Sequence, residues 1–426
     1  MSAWRRATFS CERMATSSMQ GICALALLAC SGAAAPEART APAGPAPEFR
    51  RGQLARAIGD TAATIVSAAQ RDSAFPGAYL VIGDSRGVLF TGSVGRLDWA
   101  ASPEPTDETL WDLASLTKVI VPTTLAAQLT EQNALDLDSP VQRYLPGWTG
   151  PGKDRVTIRH LLTHTSGLPA FRPYDQQTKD PDSLASLLFN TELERAPGER
   201  MVYSDIGAFV LGRVIERVGG ERLDILAETR IFRPLRLRHT MFRPPTHLRS
   251  RIAPTEIDTL RGGLVRGVVH DERAYYLGGV AAHAGLFGSA SDLTRFAVMM
   301  LRGGALDGVR ILHEETVARF TRYADSSTTN RALGWQKPEH AGMRDRVPSS
   351  AWAGSGMTSS AFGHTGFTGT SIAIDPALDV FIILLSNRVN PTRNNPRITP
   401  VRRALADAVT GVLREFRTTN INGLPR

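Results

Sequence analysis

Cysteine is almost absent from this chain. Of 426 residues only three are cysteines, Cys11, Cys23 and Cys30, and all precede the body of the protein. The body therefore has no disulfide, no thiolate nucleophile and no cysteine-based metal site. Long apolar runs are missing too. The run "GICALALLAC" (21–30) is too short to span a bilayer. Dense basic runs are also missing. The net charge is +8 and the pI near 9.8, yet the 49 Lys and Arg residues are scattered. That charge reads as solubility, and no nucleic-acid partner is expected. No internal repeat is present. With 42% hydrophobic and 21% charged residues, the composition is globular, with ample material for a core.

The leader has a processing pattern. Arg5, Arg6 and Arg13 precede the short apolar run, which reads as the apolar region of a signal peptide over residues 1–30. "LLAC" ahead of Cys30 resembles a bacterial lipobox. In that reading Cys30 is lipidated and anchors an exported, periplasmic protein to the membrane. Residues 31–50 are Ala/Pro-rich and look like a tether. The body is expected at 51–418, with a flexible tail at 419–426.

Within the body, "GQLARAIGDTAATIVSAAQRD" (52–72) has helical periodicity. "GAYLVIGDSRGVLFTGSVG" (77–95) reads as two strands around a turn. Residues 115–134 read as one long helix, with a kink expected at Pro122. "GHTGFTGTSIAID" (363–375) alternates like a strand, and "DVFIILLSNR" (379–388) is a buried one. Residues 399–416 close as a helix. Strands at both ends with helices between predict an α+β fold. Its antiparallel sheet is built from both ends of the body, flanked by helices, with a large mainly helical insertion.

Three motifs are decoys. Gly83-Asp84-Ser85-Arg86-Gly87 matches G-x-S-x-G, but a strand follows it where the nucleophile elbow needs a helix. His160 and His164 have Leu161 after the first His, where a zinc protease needs Glu, and no third ligand lies nearby. His270 beside Asp271, and His283, have no ligand spacing and read as buried hydrogen-bonding histidines. No metal and no cofactor is expected.

In "WDLASLTKVI" (111–120), Ser115 and Lys118 stand at i and i+3, on one helix face. A hydroxyl needs a base within reach to act as a nucleophile. Lysine serves as base when neutral, and the apolar bed around Lys118 is expected to lower its pKa. A helix start at Ser115 aims N–H groups at an oxyanion. Downstream, "MVYSDIG" carries Tyr203 and Asp205, and "GHTGFTG" carries His364, Thr365 and Gly366.

In this order the motifs resemble the serine β-lactamase and penicillin-binding-protein superfamily, most of all its class C β-lactamase-like group of esterases and D-stereospecific peptidases. The resemblance extends to "LDLDSPVQRYLPGW", "TIRHLLTHTSGLP" and "LGGVAAHAGLFGSASDLTRFAVMML". It implies Ser115 as acylated nucleophile, Lys118 as general base and Tyr203 as proton shuttle. Asp205 sits at the family's usual Asn, which contacts substrate. His364-Thr365-Gly366 sits at its Lys-Thr-Gly, a substrate-binding strand. Ser115 and Phe367 would supply the oxyanion N–H groups. The two departures weaken recognition of a carboxylate: His364 is charged only part of the time near neutral pH, and Asp205 only accepts. The implied activity is an exported serine hydrolase of small esters, peptides or β-lactams, with peptidoglycan as a candidate partner. The alternatives are an acyltransferase and a non-catalytic binding member.

Overall fold

The computed structural model describes residues 47–325, 329–339 and 350–422. The signal peptide, Cys30 and residues 31–46 of the tether lie outside the described residues.

One antiparallel sheet organises the body. Its strand order is Phe362–Thr365, Ser371–Asp375, Val380–Ser386, Gly77–Asp84, Gly87–Gly95. The two ends of the chain therefore meet at its centre, where Leu80 pairs with Leu384 and Ile82 with Ile382. Side chains alternate along a strand, so the apolar run "VFIILL" feeds both faces. Val380, Ile382 and Leu384 pack beneath the long first and last helices, Pro47–Arg71 and Ile398–Asn422. Phe381, Ile383 and Leu385 face the inserted helices, including Ala290–Leu301. The expected α+β architecture is the one observed.

The Ser85-Arg86 turn joins two strands, as its context required. Ser85 is spent on Asp379, whose carboxylate accepts from its N–H at 2.9 Å and its hydroxyl at 3.0 Å.

Two elements differ from their sequence patterns. The helix expected over 115–134 is two, Leu116–Ile120 and Pro122–Glu131. Val121 breaks the spiral at φ −103°, ψ −78°, and Pro122 opens the second piece, where its missing N–H costs nothing. The expected 363–375 strand folds back on itself at Gly366–Thr370, pairing His364 with Ile372. Gly366 permits that turn: a Cβ there would lie 2.1 Å from Thr370 Oγ1 and 2.5 Å from the Leu113 carbonyl. The period of two runs through the reversal and hides it.

Candidate active site

A two-residue strand, Trp111–Asp112, pairs with Leu286–Gly288 and sets the approach to Ser115. The buried Asp112 carboxylate accepts the N–H of Ala114 at 2.8 Å and of His270 at 2.6 Å. Ala114 is held in the left-handed region at φ 46°, an unusual state for a residue with a side chain. The strained turn delivers Ser115 as the N-cap of the helix Leu116–Ile120.

Lys118, one turn on, is 4% exposed. Its Nζ donates to Ser115 Oγ at 3.0 Å and to the His283 carbonyl at 2.9 Å, and it pairs with Asp205 Oδ1 at 2.8 Å. Burial alone would push its pKa down. Asp205, and then Tyr203, outweigh burial, so the ammonium is held above the ordinary lysine value. This corrects the expectation from the apolar bed. The bed is present, but a carboxylate from a distant segment sits inside it.

Tyr203 and Asp205 are placed by a helix start. Ser204 caps the helix Asp205–Gly219 by accepting the Gly207 N–H at 2.9 Å, and donates to the Pro169 carbonyl at 2.6 Å. Asp205 opens the first turn, where a negative charge suits the helix dipole. Its second oxygen, Oδ2, accepts from Arg273 at 2.8 Å. Arg273 also reaches Asp271 Oδ2 at 3.2 Å, and Asp271 Oδ1 lies 3.1 Å from His283 Nε2. Burial alone would raise both aspartates. Lys118 and Arg273 help hold Asp205 below its ordinary value, and His283 and Arg273 hold Asp271 well below it.

The other side of Tyr203 differs. Its ring lies 4.6 Å from the ring of His164 and 5.9 Å from that of His364. The Arg331 guanidinium carbon is 5.1 Å from the Tyr203 ring centre, and Lys118 Nζ is 4.8 Å from it. Tyr203 Oη is buried without a hydrogen-bond partner. Burial, then the charges of Arg331 and Lys118, hold both histidines well below the ordinary 6.5. His364 is thus a neutral imidazole at pH 7, where the sequence suggested a part-time cation. Its Nδ1 bonds the Thr365 carbonyl at 2.9 Å. Burial likewise pushes Arg331 down to about 10, and among the described residues it has no carboxylate partner.

Ser115, Tyr203, Asp205 and Phe367 line one cleft of about 770 Å³. His364, Thr365 and Gly366 do not line it. The close approach that Gly366 allows is to Leu113 of the same chain rather than to a ligand. Phe367 follows them into the cleft. Its ring packs 5.7 Å from His270 and 4.3 Å from the Arg388 guanidinium, while its carbonyl accepts from Arg388 Nε at 2.7 Å. Among the described residues, the N–H groups of Ser115 and Phe367 donate to no protein acceptor.

The β-lactamase family model matches residues 62–407. This chain belongs to the β-lactamase family. A protein of Salmonella enteritidis PT4 (strain P125109), provisionally named a D-alanyl-D-alanine carboxypeptidase, is 32% identical over 322 residues, covering 69% of this chain and 73% of that one. Among solved structures, EstCE1, "a hydrolase with promiscuous acyltransferase activity", superposes with a TM-score of 0.65 at 22% identity, covering 84% of this chain and 100% of its own. A class C β-lactamase gives 0.65 at 21%, covering 82% and 95%. These two likenesses are of fold.

Sequence reasoning missed four parts of this β-lactamase-family site. Arg273 stands in "HDER", a charged cluster that was available as a signal. The His283 carbonyl and Arg331 carry no signal, because only the fold brings them to Lys118 and Tyr203. From its spacing His164 reads as structural. It is that, accepting the Ser204 N–H at 3.1 Å, and it also packs on Tyr203.

Proposed function

We propose that this chain is a serine hydrolase that works through an acyl-enzyme on Ser115. The observation that carries the reading is the 3.0 Å contact between Ser115 Oγ and the buried Lys118 Nζ at the wall of an open cleft. Ser115 attacks a carbonyl carbon. Its proton passes to the neutral form of Lys118, a minor form at neutral pH whose share grows tenfold per pH unit. Tyr203 passes a proton to the leaving group and then draws one from the deacylating water. Negative charge that develops on its oxygen meets Lys118 on one side and Arg331 on the other. The N–H groups of Ser115 and Phe367 take the oxyanion.

Esters are the first substrates to test, because the position where the resemblance puts a lysine carries the neutral His364, which lies outside the cleft lining. D-alanyl peptides remain in the reading through the carboxypeptidase name of the Salmonella relative. Acyl transfer is a second reading, favoured by the apolar rim of Phe171, Ile257, Leu260 and Phe367, where an acceptor could lie. A panel of p-nitrophenyl esters, nitrocefin and D-Ala-D-Ala peptides, run with and without added alcohols, separates these activities. Hydrolysis of an ester that vanishes in Ser115→Ala supports the assignment, and equal rates in that variant sink it. Export and lipidation rest on the leader pattern alone. Palmitate labelling that is lost in Cys30→Ala tests them.

A further inference from the structure

The cleft beside Ser115 holds a histidine and carboxylate pair that the mechanism above leaves unused. His270 and Glu256 both line it. His270 Nε2 lies 2.9 Å from Glu256 Oε2. Arg393 clamps that carboxylate, donating its backbone N–H to Oε1 at 3.0 Å and its Nε to Oε2 at 2.7 Å. Burial alone would raise Glu256, but His270 and Arg393 hold it well below its ordinary value. A carboxylate only accepts, so Nε2 of the neutral imidazole carries the proton and Nδ1 carries the lone pair.

The two nitrogens differ in access. Nε2 is spent on Glu256. Nδ1 bonds no protein group among the described residues, yet it is not sealed off as His283 Nδ1 and His364 Nε2 are. It is therefore an open acceptor on the cleft wall. Groups of the site itself set its place. Asp112 accepts the N–H of His270 and that of Ala114, which ties the histidine to the turn that delivers Ser115. The imidazole stacks on the Phe367 ring, with centroids 5.7 Å apart and planes 27° from parallel. Phe367 is half-exposed in the apolar rim, and its backbone N–H faces the oxyanion in the mechanism above. An alcohol whose chain lies on that rim brings its hydroxyl to the lone pair.

We propose that His270 is a further catalytic residue, a general base for acyl transfer whose Nδ1 takes the proton of a small apolar alcohol as it attacks the acyl group on Ser115. The inference rests on the acyl-enzyme reading above, in which Tyr203 serves water. The alcohol oxygen bonds the acyl carbon as its proton passes to Nδ1. The bond from that carbon to Ser115 Oγ then breaks, and Oγ takes a proton from Lys118. His270 releases its proton to solvent and Lys118 regains one, which leaves an ester and the resting enzyme.

The test supplies p-nitrophenyl butyrate and 1-butanol to the full chain and measures the ratio of butyl butyrate to butyrate formed. The wild-type ratio should exceed the mole ratio of butanol to water by about a hundredfold or more, the usual worth of a positioned base. A ratio no greater than the mole ratio overturns the inference, whether or not any variant folds. His270→Gln keeps a donor for Glu256 and removes the Nδ1 acceptor, so the ratio should fall by about tenfold or more. His270→Asn sets an amide oxygen near the place of Nδ1, which accepts a hydrogen bond but takes no proton. The ratio should stay low there too, and its recovery would show that His270 only holds the alcohol, against the base role. A purely structural His270 would lower both products and the melting temperature together and leave the ratio untouched, which overturns the inference alone. A wild-type chain that hydrolyses no ester, with Ser115 unlabelled by a fluorophosphonate, overturns the hydrolase reading and this inference with it.

Discussion

Tyr203 stands between two neighbourhoods of opposite electrostatic design. Toward the cleft, charges alternate: Lys118, Asp205, Arg273, Asp271, with His283 closing the series through its ring and its carbonyl. On the other side, two histidines are held neutral, and Arg331 is buried without a carboxylate among the described residues. In the first arrangement each of the two cations, Lys118 and Arg273, is paired with a carboxylate at rest. It fixes geometry, and it holds Lys118 protonated. Among the described residues the second lacks an anion, and a buried unpaired charge is a stability cost. Negative charge on Tyr203 during proton transfer would supply what is missing. Under the proposed mechanism one side holds the reacting groups still, and the other meets a charge that exists only in turnover.

The largest expected effect breaks both sides at once. Ser115→Ala should lower ester hydrolysis by about a thousandfold or more in steady-state assays. Next is Arg331→Met. It should cut kcat by about tenfold to a hundredfold while the melting temperature holds or rises, because the cation is a burden to the fold and a help to the reaction. An unchanged kcat would remove the functional meaning of the contrast. The compensated side is probed by pH. Lys118 is raised above its ordinary value, so kcat/KM for a neutral ester should climb with pH through the neutral range and beyond. Asp205→Asn removes the main raising charge and lets burial act, so the rising limb should shift to lower pH by about one unit or more. The smallest effect concerns the two histidines. Their folded pKa values lie below 6.5, so the unfolded chain takes up protons first as pH falls. Stability is kept above about pH 6.5 and declines below it, which a series of melting curves from pH 7.5 to 5 would show as a falling Tm.

Much of this was legible in the sequence, and for physical reasons. Ser115 and Lys118 are neighbours on one short helix, so their meeting is a local property. The sheet was legible from its alternating strands, and Pro122 announced the break at Val121. What could not be read was charge state. Lys118 sits among apolar neighbours in the sequence, and only the fold brings Asp205 to it across 87 residues of chain. The same holds for His364, whose burial beside Arg331 decides its neutrality, and for the turn at Gly366, whose necessity is steric contact with Leu113. Local pairs and periodicities are written in the chain. Desolvation and long-range charge are properties of the assembled core.

Acylation of Ser115 is the step on which the proposed mechanism depends. Intact-mass spectrometry of the protein mixed with a slowly turned-over ester or a fluorophosphonate, followed by peptide mapping, tests it directly. One acyl or phosphonyl adduct per chain is expected on the peptide carrying Ser115, absent in Ser115→Ala and slowed in Arg331→Met. An adduct on any other residue, or hydrolysis with Ser115 unmodified throughout, would contradict it.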